Sequence, residues 1–343
     1  MIDVKKVAIL FGGQSTEHEV SRVSATSVLN HIDKEKYNIF PIGITKEGKW
    51  FLYKGDIDNI GTGKWEEDYN NKVEDGIKLL LNKEVDLVFP VLHGMYGEDG
   101  TIQGLCKLMK LPCVGPSVMS SAVCMDKVYT KYLLEHEGIK QAAYVVVNAF
   151  DYKNDSEKFI NKIEEKLGYP CFVKPANSGS SVGITKAHDR ESLKNGLVEA
   201  LKHDRKILVE EGLNAREIEV AVLGNDDPKA SIPGEIIPAK EFYDYEAKYA
   251  NAESKLLIPA NLNDEEMDVI RNLSIKIYKK LDCAGMARVD FLVDKESGEV
   301  YLNEVNTIPG FTSISMYPKM WEATGLPYSN LIDELIELSV ERG

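Results

Sequence analysis

ARVDFLVDKESGEVYLNEVN, residues 287–306, reads as two apolar strands, Ala287–Leu292 and Val300–Val305, with a pair of polar residues two apart in the first and at the end of the second. Residues two apart on a strand share a face. Arg288 and Asp290 therefore point one way, as do Glu304 and Asn306, while Val289 and Val305 point into a core. If the strands pair, one face gathers two carboxylates, an amide oxygen and a guanidinium. Such groups are costly inside apolar strands unless they pair or coordinate. Hard oxygen ligands around a bound phosphate are what Mg²⁺ requires. Spacing alone leaves a second reading open, an Arg–carboxylate network on a solvated face. The segment that follows, Thr307-Ile308-Pro309-Gly310-Phe311-Thr312-Ser313, is either an ordinary turn or one that offers backbone N–H groups to an anion.

Four further segments carry groups suited to the same chemistry. Lys174 ends an apolar strand and leads into Ala176–Gly183, a loop of small residues. A lysine supplies point charge to a phosphate, and Gly and Ser permit close backbone approach. No GK[ST] closes the loop, so it is not a Walker A motif. Gly12-Gly13-Gln14-Ser15-Thr16-Glu17-His18 follows the first strand, at the kind of strand-to-helix turn where α/β sheets bind ligands. His93-Gly94 directly follows the buried strand expected at Val85–Leu92. The stretch FYDYEAKY, residues 242–249, fits neither the helical nor the strand period and suggests a closing loop. Each of these also has a structural reading: a surface hairpin, a helix start, a core histidine and aromatic packing.

Around these segments the chain alternates strand and helix. The first third reads as an open α/β sheet, expected to be parallel, with Thr16 and Glu19 as a capping box for a helix from about Glu17. One helix is expected over Val118–Glu137, and Asn263 with Glu266 forms a second capping box. The expectation is three α/β or α+β units in series, residues 1–116, 117–213 and 214–343.

The 343 residues are 43% hydrophobic and 28% charged, ample for several cores and unlike a disordered chain. A net charge of −14 argues against nucleic acid or anionic membrane as partner. Five cysteines, an odd number without C-x-x-C, read as reduced core thiols of a cytoplasmic protein. The apolar run VAILF is too short for a signal peptide, and no stretch approaches the ~20 apolar residues of a membrane span.

Seven segments in order, GGQSTEHEVS, LHGMYGEDGTIQG, VMSSAVCMDK, VKPANSGSSVG, FYDYEAKY, ARVDF and NEVNTIPGFTS, closely resemble the D-alanine–D-alanine ligases of the ATP-grasp superfamily. The resemblance runs over nearly the whole chain. It implies a three-domain ATP-grasp architecture with an N-terminal open parallel-sheet domain and an ATP-dependent, ADP-forming ligation of two D-alanines for peptidoglycan. ATP would meet Lys127, Lys174, Glu210, Glu217 and Lys248. Asp290, Glu304 and Asn306 would hold two Mg²⁺ or Mn²⁺, and K⁺ is a further candidate ion. Glu17 would bind the ammonium of the first D-alanine, with His93 nearby. Ser180 and Tyr249 would close over Glu17. Arg288 and the Gly310 backbone would stabilise the oxyanion, and Ser315 and Met316 would border the second amino-acid pocket. A cytoplasmic homodimer is expected. His18, where relatives often have Arg, receives no role. Ala176-Asn177-Ser178 and Met316 also depart from some relatives.

A D-alanine–D-serine ligase is the nearest rival, since it shares this frame. A D-lactate-using relative would carry a histidine in the lid, but the last of the six histidines is His203. A non-catalytic nucleotide sensor would tolerate loss of Arg288 or of the metal ligands, and none is lost. A Rossmann dehydrogenase would need a glycine fingerprint that is missing.

Overall fold

A computed structural model describes residues 4–82, 84–237 and 255–342. Three sheets follow one another along the chain. The first contains β1 (Lys5–Gly12), β2 (Tyr37–Ile44), β3 (Trp50–Tyr53), β4 (Lys72–Glu74) and β5 (Leu87–Pro90) in the order β4-β3-β2-β1-β5. Only its centre is parallel: β1 pairs parallel with β2 and β5, while β3 and β4 join antiparallel. The sheet is thus open and mixed, which refines the parallel expectation. Short connections from β2 to β3 permit a hairpin, whereas a parallel pair needs a long crossover.

The second sheet contains β6 (Tyr144–Asn148), β7 (Cys171–Pro175), β8 (Thr185–Ala187) and β9 (Lys206–Glu211), all antiparallel in the order β6-β9-β7-β8. The third contains β10 (Ala215–Gly224), β11 (Lys229–Ala230), β12 (Gly234–Ile237), β13 (Lys255–Leu257), β14 (Gly285–Asp294) and β15 (Val300–Asn306). Its order is β13-β12-β10-β14-β15, with β11 paired to β10.

The strands of the opening segment do pair. β14 and β15 run antiparallel with Arg288 opposite Asn306, Val289 opposite Val305 and Asp290 opposite Glu304. Val289 and Val305 are buried in a core with Ile218, Val220 and Tyr278. The alternation that puts valine in the core therefore delivers all four polar groups to the other face.

Two helix readings are corrected. The expected helix over Val118–Glu137 is two helices, Val118–Met125 and Lys127–His136. Asp126 breaks it, because its carboxylate accepts from the backbone N–H groups of Val128 and Tyr129 and starts a new helix. The Thr16–Glu19 capping box does not form. The helix is His18–His31, Glu17 occupies the cap position without a side-chain cap bond, and Glu19 pairs with Lys46 at 2.6 Å. The Asn263–Glu266 box forms in both directions and opens the helix Asp264–Lys280.

Packing divides unevenly among the sheets. One core joins Val7, Ile9 and Phe11 of β1 to Met286, Trp321 and the helix Tyr328–Glu341 through Leu331, Leu335 and Leu338. The second sheet has a core drawn wholly from residues between Val145 and Val209. All five cysteines are free thiols, and four are buried. Among the described residues no helix is long and apolar enough to cross a membrane.

Candidate functional site

A cavity of about 960 Å³ opens where the three sheets converge. Its walls include Glu17 and His93 from the first unit, Lys127 and Ser180 from the second, and Arg288 and Glu304 from the third. Side chains nearly 290 positions apart are thereby brought together.

The first wall is built around Glu17. This carboxylate is 6% exposed, and Ser180 Oγ donates a hydrogen bond to it. Glycines make room for it: a Cβ on Gly94 or Gly179 would lie 2.4 Å from Glu17 Oε2. The loop carrying Ser180 arrives through a left-handed backbone, with φ of 45° at Ser180 and 61° at Ser181. His93 is buried beside Glu17. Its Nδ1 donates to the Ile308 carbonyl at 3.0 Å, and its Nε2 lies 2.9 Å from Ser24 Oγ. Glu98 lies 3.8 Å from the same ring. Burial pushes the Glu98 carboxyl up to about 7, against the pull of His93. Burial works against a charged His93, but the Glu98 carboxylate outweighs it and raises the imidazole above its usual value.

The second wall is the polar face of β14 and β15. Arg288 grips Asp290 through two bonds of 2.8 and 2.7 Å, and its Nε lies 3.1 Å from Glu219. Burial opposes the charge on Arg288, yet Asp290 and Glu219 hold the guanidinium firmly protonated. Asn306 Nδ2 donates to Asp290 at 2.8 Å, and Lys127 Nζ approaches Glu304 at 3.6 Å. No cluster of three or more His, Cys, Asp or Glu poised for a metal occurs among the described residues. Asp290, Glu304 and Asn306 nevertheless form a compact set of hard oxygen donors. Such a set fits Mg²⁺ when phosphate oxygens complete the shell.

The third wall holds the cations. Lys127 begins its helix with its N–H on the Ala176 carbonyl at 3.0 Å, and its Nζ donates to the Ser178 carbonyl at 2.7 Å. The lysine and the loop after Lys174 are thus fixed to each other. Glu217 lines the cavity, as do Gly310, Ser315 and Met316. Ser315 caps the loop end: its Oγ accepts from Thr312 N at 3.1 Å. Lys174 and Glu210 lie behind the cavity wall, 2.6 Å apart. The expected residues Lys248 and Tyr249, with the rest of FYDYEAKY, lie outside the described residues.

Sequence reasoning missed Glu98, Glu219 and Lys131. Glu98 stood in the glycine turn GEDG, where a carboxylate reads as solvated. Glu219 is diagnosable only by register, since it pairs with Asp290 across β10 and β14. His18, given no role, is buried, with Nδ1 2.7 Å from the Gly13 carbonyl and Nε2 3.1 Å from Glu66.

Comparison with known proteins adds the following. Residues 6–116 match the family model for the D-ala D-ala ligase N-terminus, and residues 133–337 match that for the D-ala D-ala ligase C-terminus. A D-alanine–D-alanine ligase of Clostridium acetobutylicum is 71% identical over 338 residues, covering 98% of each chain. One from Clostridium novyi is 70% identical with the same coverage. Among solved structures, the VanG D-Ala:D-Ser ligase of Enterococcus faecalis superposes with a TM-score of 0.89 at 41% identity, over 98% of this chain and 99% of that one. The D-alanine–D-alanine ligase of Coxiella burnetii gives 0.84 at 36% identity, over 98% and 94%.

Proposed function

The chain belongs to the D-alanine–D-alanine ligase family, and from that premise we propose that it joins two D-alanines through a D-alanyl phosphate, releasing ADP and phosphate, to supply peptidoglycan synthesis. The observation that carries this reading is the β14–β15 register, which sets Arg288, Asp290, Glu304 and Asn306 on one face of the cavity. The working units are residues 1–116, 117–213 and 214–343.

Glu17 holds the ammonium of the first D-alanine, helped by its buried position beneath Gly94 and Gly179. His93 stands beside it. The carboxylate of that D-alanine attacks the γ-phosphorus of ATP, the bond to the bridging oxygen breaks, and ADP leaves. Lys127 and Lys174 offset charge on the phosphates, and Glu210, Glu217 and Lys248 serve the rest of the nucleotide. Asp290, Glu304 and Asn306 would hold two Mg²⁺ or Mn²⁺, which supply charge neutralisation to the transferring phosphoryl group. The neutral amine of the second D-alanine, bordered by Ser315 and Met316, attacks the acyl carbon. Arg288 and the Gly310 N–H receive the oxyanion, and phosphate departs as the amide forms. Ser180, already bonded to Glu17, closes the site with Tyr249 and keeps water from the acyl phosphate. The enzyme works as a cytoplasmic homodimer, and K⁺ is a further candidate ion.

The test supplies ATP, Mg²⁺ and D-alanine and identifies products by mass. ADP, phosphate and the dipeptide are expected; AMP and pyrophosphate would overturn the acyl-phosphate route. With equal D-alanine and D-lactate at pH 6 and pH 8, the dipeptide should dominate at both and rise with pH as free amine becomes available. Substantial depsipeptide at pH 6 would overturn the acceptor. A dominant D-alanyl-D-serine product on adding D-serine would keep the chemistry and change the acceptor.

A further inference from the structure

Behind the cavity wall lies a buried row of three charges that the reaction as described does not use in full. Lys131 sits one turn beyond Lys127 on the helix Lys127–His136, and its side chain is 3% exposed. Its Nζ is 2.6 Å from Glu210 Oε1, while Lys174 Nζ is 2.6 Å from Glu210 Oε2. The aromatic ring of Tyr144 lies 5.2 Å from Lys131 Nζ. Strand register explains the grouping. Phe172 and Tyr144 both stand opposite Glu210, so Lys174, two residues on from Phe172, reaches the same face of the sheet. The helix Lys127–His136 covers that face through Val128, Leu208 and Ala176. None of the three lines the cavity directly, but Lys174 is the most exposed of them at 15% and Lys131 the least at 3%.

We propose that Lys131 is a positioning residue for the nucleotide site: by taking one oxygen of Glu210 it leaves Lys174 with charge and N–H groups to offer a phosphate. The argument is one of charge balance in a place with little water. A buried carboxylate facing a single lysine would neutralise it and draw its ammonium away from the cavity. Two lysines on one carboxylate carry a net single positive charge. The second lysine also fixes the carboxylate plane, so that Lys174 is held from one side only. The two ion pairs drive the Glu210 carboxyl down to about 2 despite its burial, so it stays charged at any working pH.

The inference rests on Lys174 meeting a nucleotide phosphate, and its test separates the two. Dissociation constants for a non-hydrolysable ATP analogue with Mg²⁺ are measured by calorimetry on the full chain, with KM for D-alanine alongside. Lys131→Met should weaken analogue binding about tenfold and leave the D-alanine KM nearly unchanged, while Lys131→Arg should keep both. Lys131→Gln, which removes the charge and keeps a hydrogen-bond donor facing Glu210, should weaken analogue binding by at least about threefold with the D-alanine KM again nearly unchanged. A merely structural lysine would weaken both substrates together. If Lys131→Met alone does not fold, Lys131→Gln decides, and analogue binding equal to the wild type in it overturns the proposal. If Lys174→Met weakens binding and Lys131→Met does not, the inference fails while the phosphate reading stands. If Lys174→Met binds like the wild type, the phosphate reading fails and the inference with it.

Discussion

Glu98→Gln should make the protein more stable relative to wild type as pH rises, because it removes a carboxylate that ionises inside the protein. Glu98 lies against His93 at 3.8 Å with its side chain only 14% exposed, and its pKa stands at about 7 instead of the usual 4.5. Between those values the folded chain binds a proton that the unfolded chain has released. Stability contributed by that proton is complete below pH 4.5 and is lost as pH rises to 7. At ~1.4 kcal/mol per pKa unit, the full displacement corresponds to roughly 3 kcal/mol. His93 adds to the slope with the same sign, since its raised pKa contributes stability that is present below 6.5 and lost above it. The assay is urea unfolding of wild type and variant at pH 5, 6, 7 and 8, read as the difference between them. Subtraction cancels the ionisable groups that do not face Glu98, while the loss of the His93 shift stays in the difference with the same sign. The difference should move by ~2–3 kcal/mol in favour of the glutamine variant between pH 5 and pH 8. A difference independent of pH would show that Glu98 ionises normally and would refute the reasoning.

Three further outcomes are expected. Glu304→Gln should lower turnover by on the order of 10²-fold with the fold intact by circular dichroism; near-normal turnover at limiting Mg²⁺ would remove Glu304 from the metal set. Gly179→Ala puts a methyl 2.4 Å from Glu17 Oε2, so the D-alanine KM should rise about tenfold or more, and an unchanged KM would mean Glu17 does not hold the amino acid. Asp126→Ala removes the cap on Val128 and Tyr129 and the contacts to Lys206 and Asn177, so urea unfolding should show a loss of at least ~1 kcal/mol; a change under ~0.5 kcal/mol would mean water replaces the cap.

What the sequence disclosed follows from what depends only on neighbours. The face shared by Arg288, Asp290, Glu304 and Asn306 was legible because alternation along a strand needs no knowledge of the partner. The Asn263–Glu266 box was legible for the same reason. The identical pattern at Thr16 and Glu19 failed because Lys46, from a distant turn, holds Glu19. Asp126 was overlooked as a helix break because the apolar residues on both sides, through Val123 and Val128, read as one continuous helix. The Lys131–Glu210–Lys174 row and the Glu98–His93 pair were not legible, since each joins elements whose mutual placement is set by packing. Only the resemblance to a known family drew Glu17, His93 and Ser180 together before the cavity did, and Glu17 and Ser180 do touch.

The core that unites Val7, Ile9 and Phe11 with Leu331, Leu335 and Leu338 has a consequence for how the molecule is made. A ribosome emits the amino-terminal strand first and the covering helix Tyr328–Glu341 last. The helix His18–His31 covers part of this side early, through Ala25, Val28 and Leu29, but the rest of it must wait through the synthesis of more than 200 intervening residues. The central sheet is under no such delay, since every apolar group in its core is released by the time Val209 emerges. Vectorial synthesis thus favours a nascent chain whose middle folds before its beginning. During that interval the amino-terminal sheet is the part that most needs shielding from other chains.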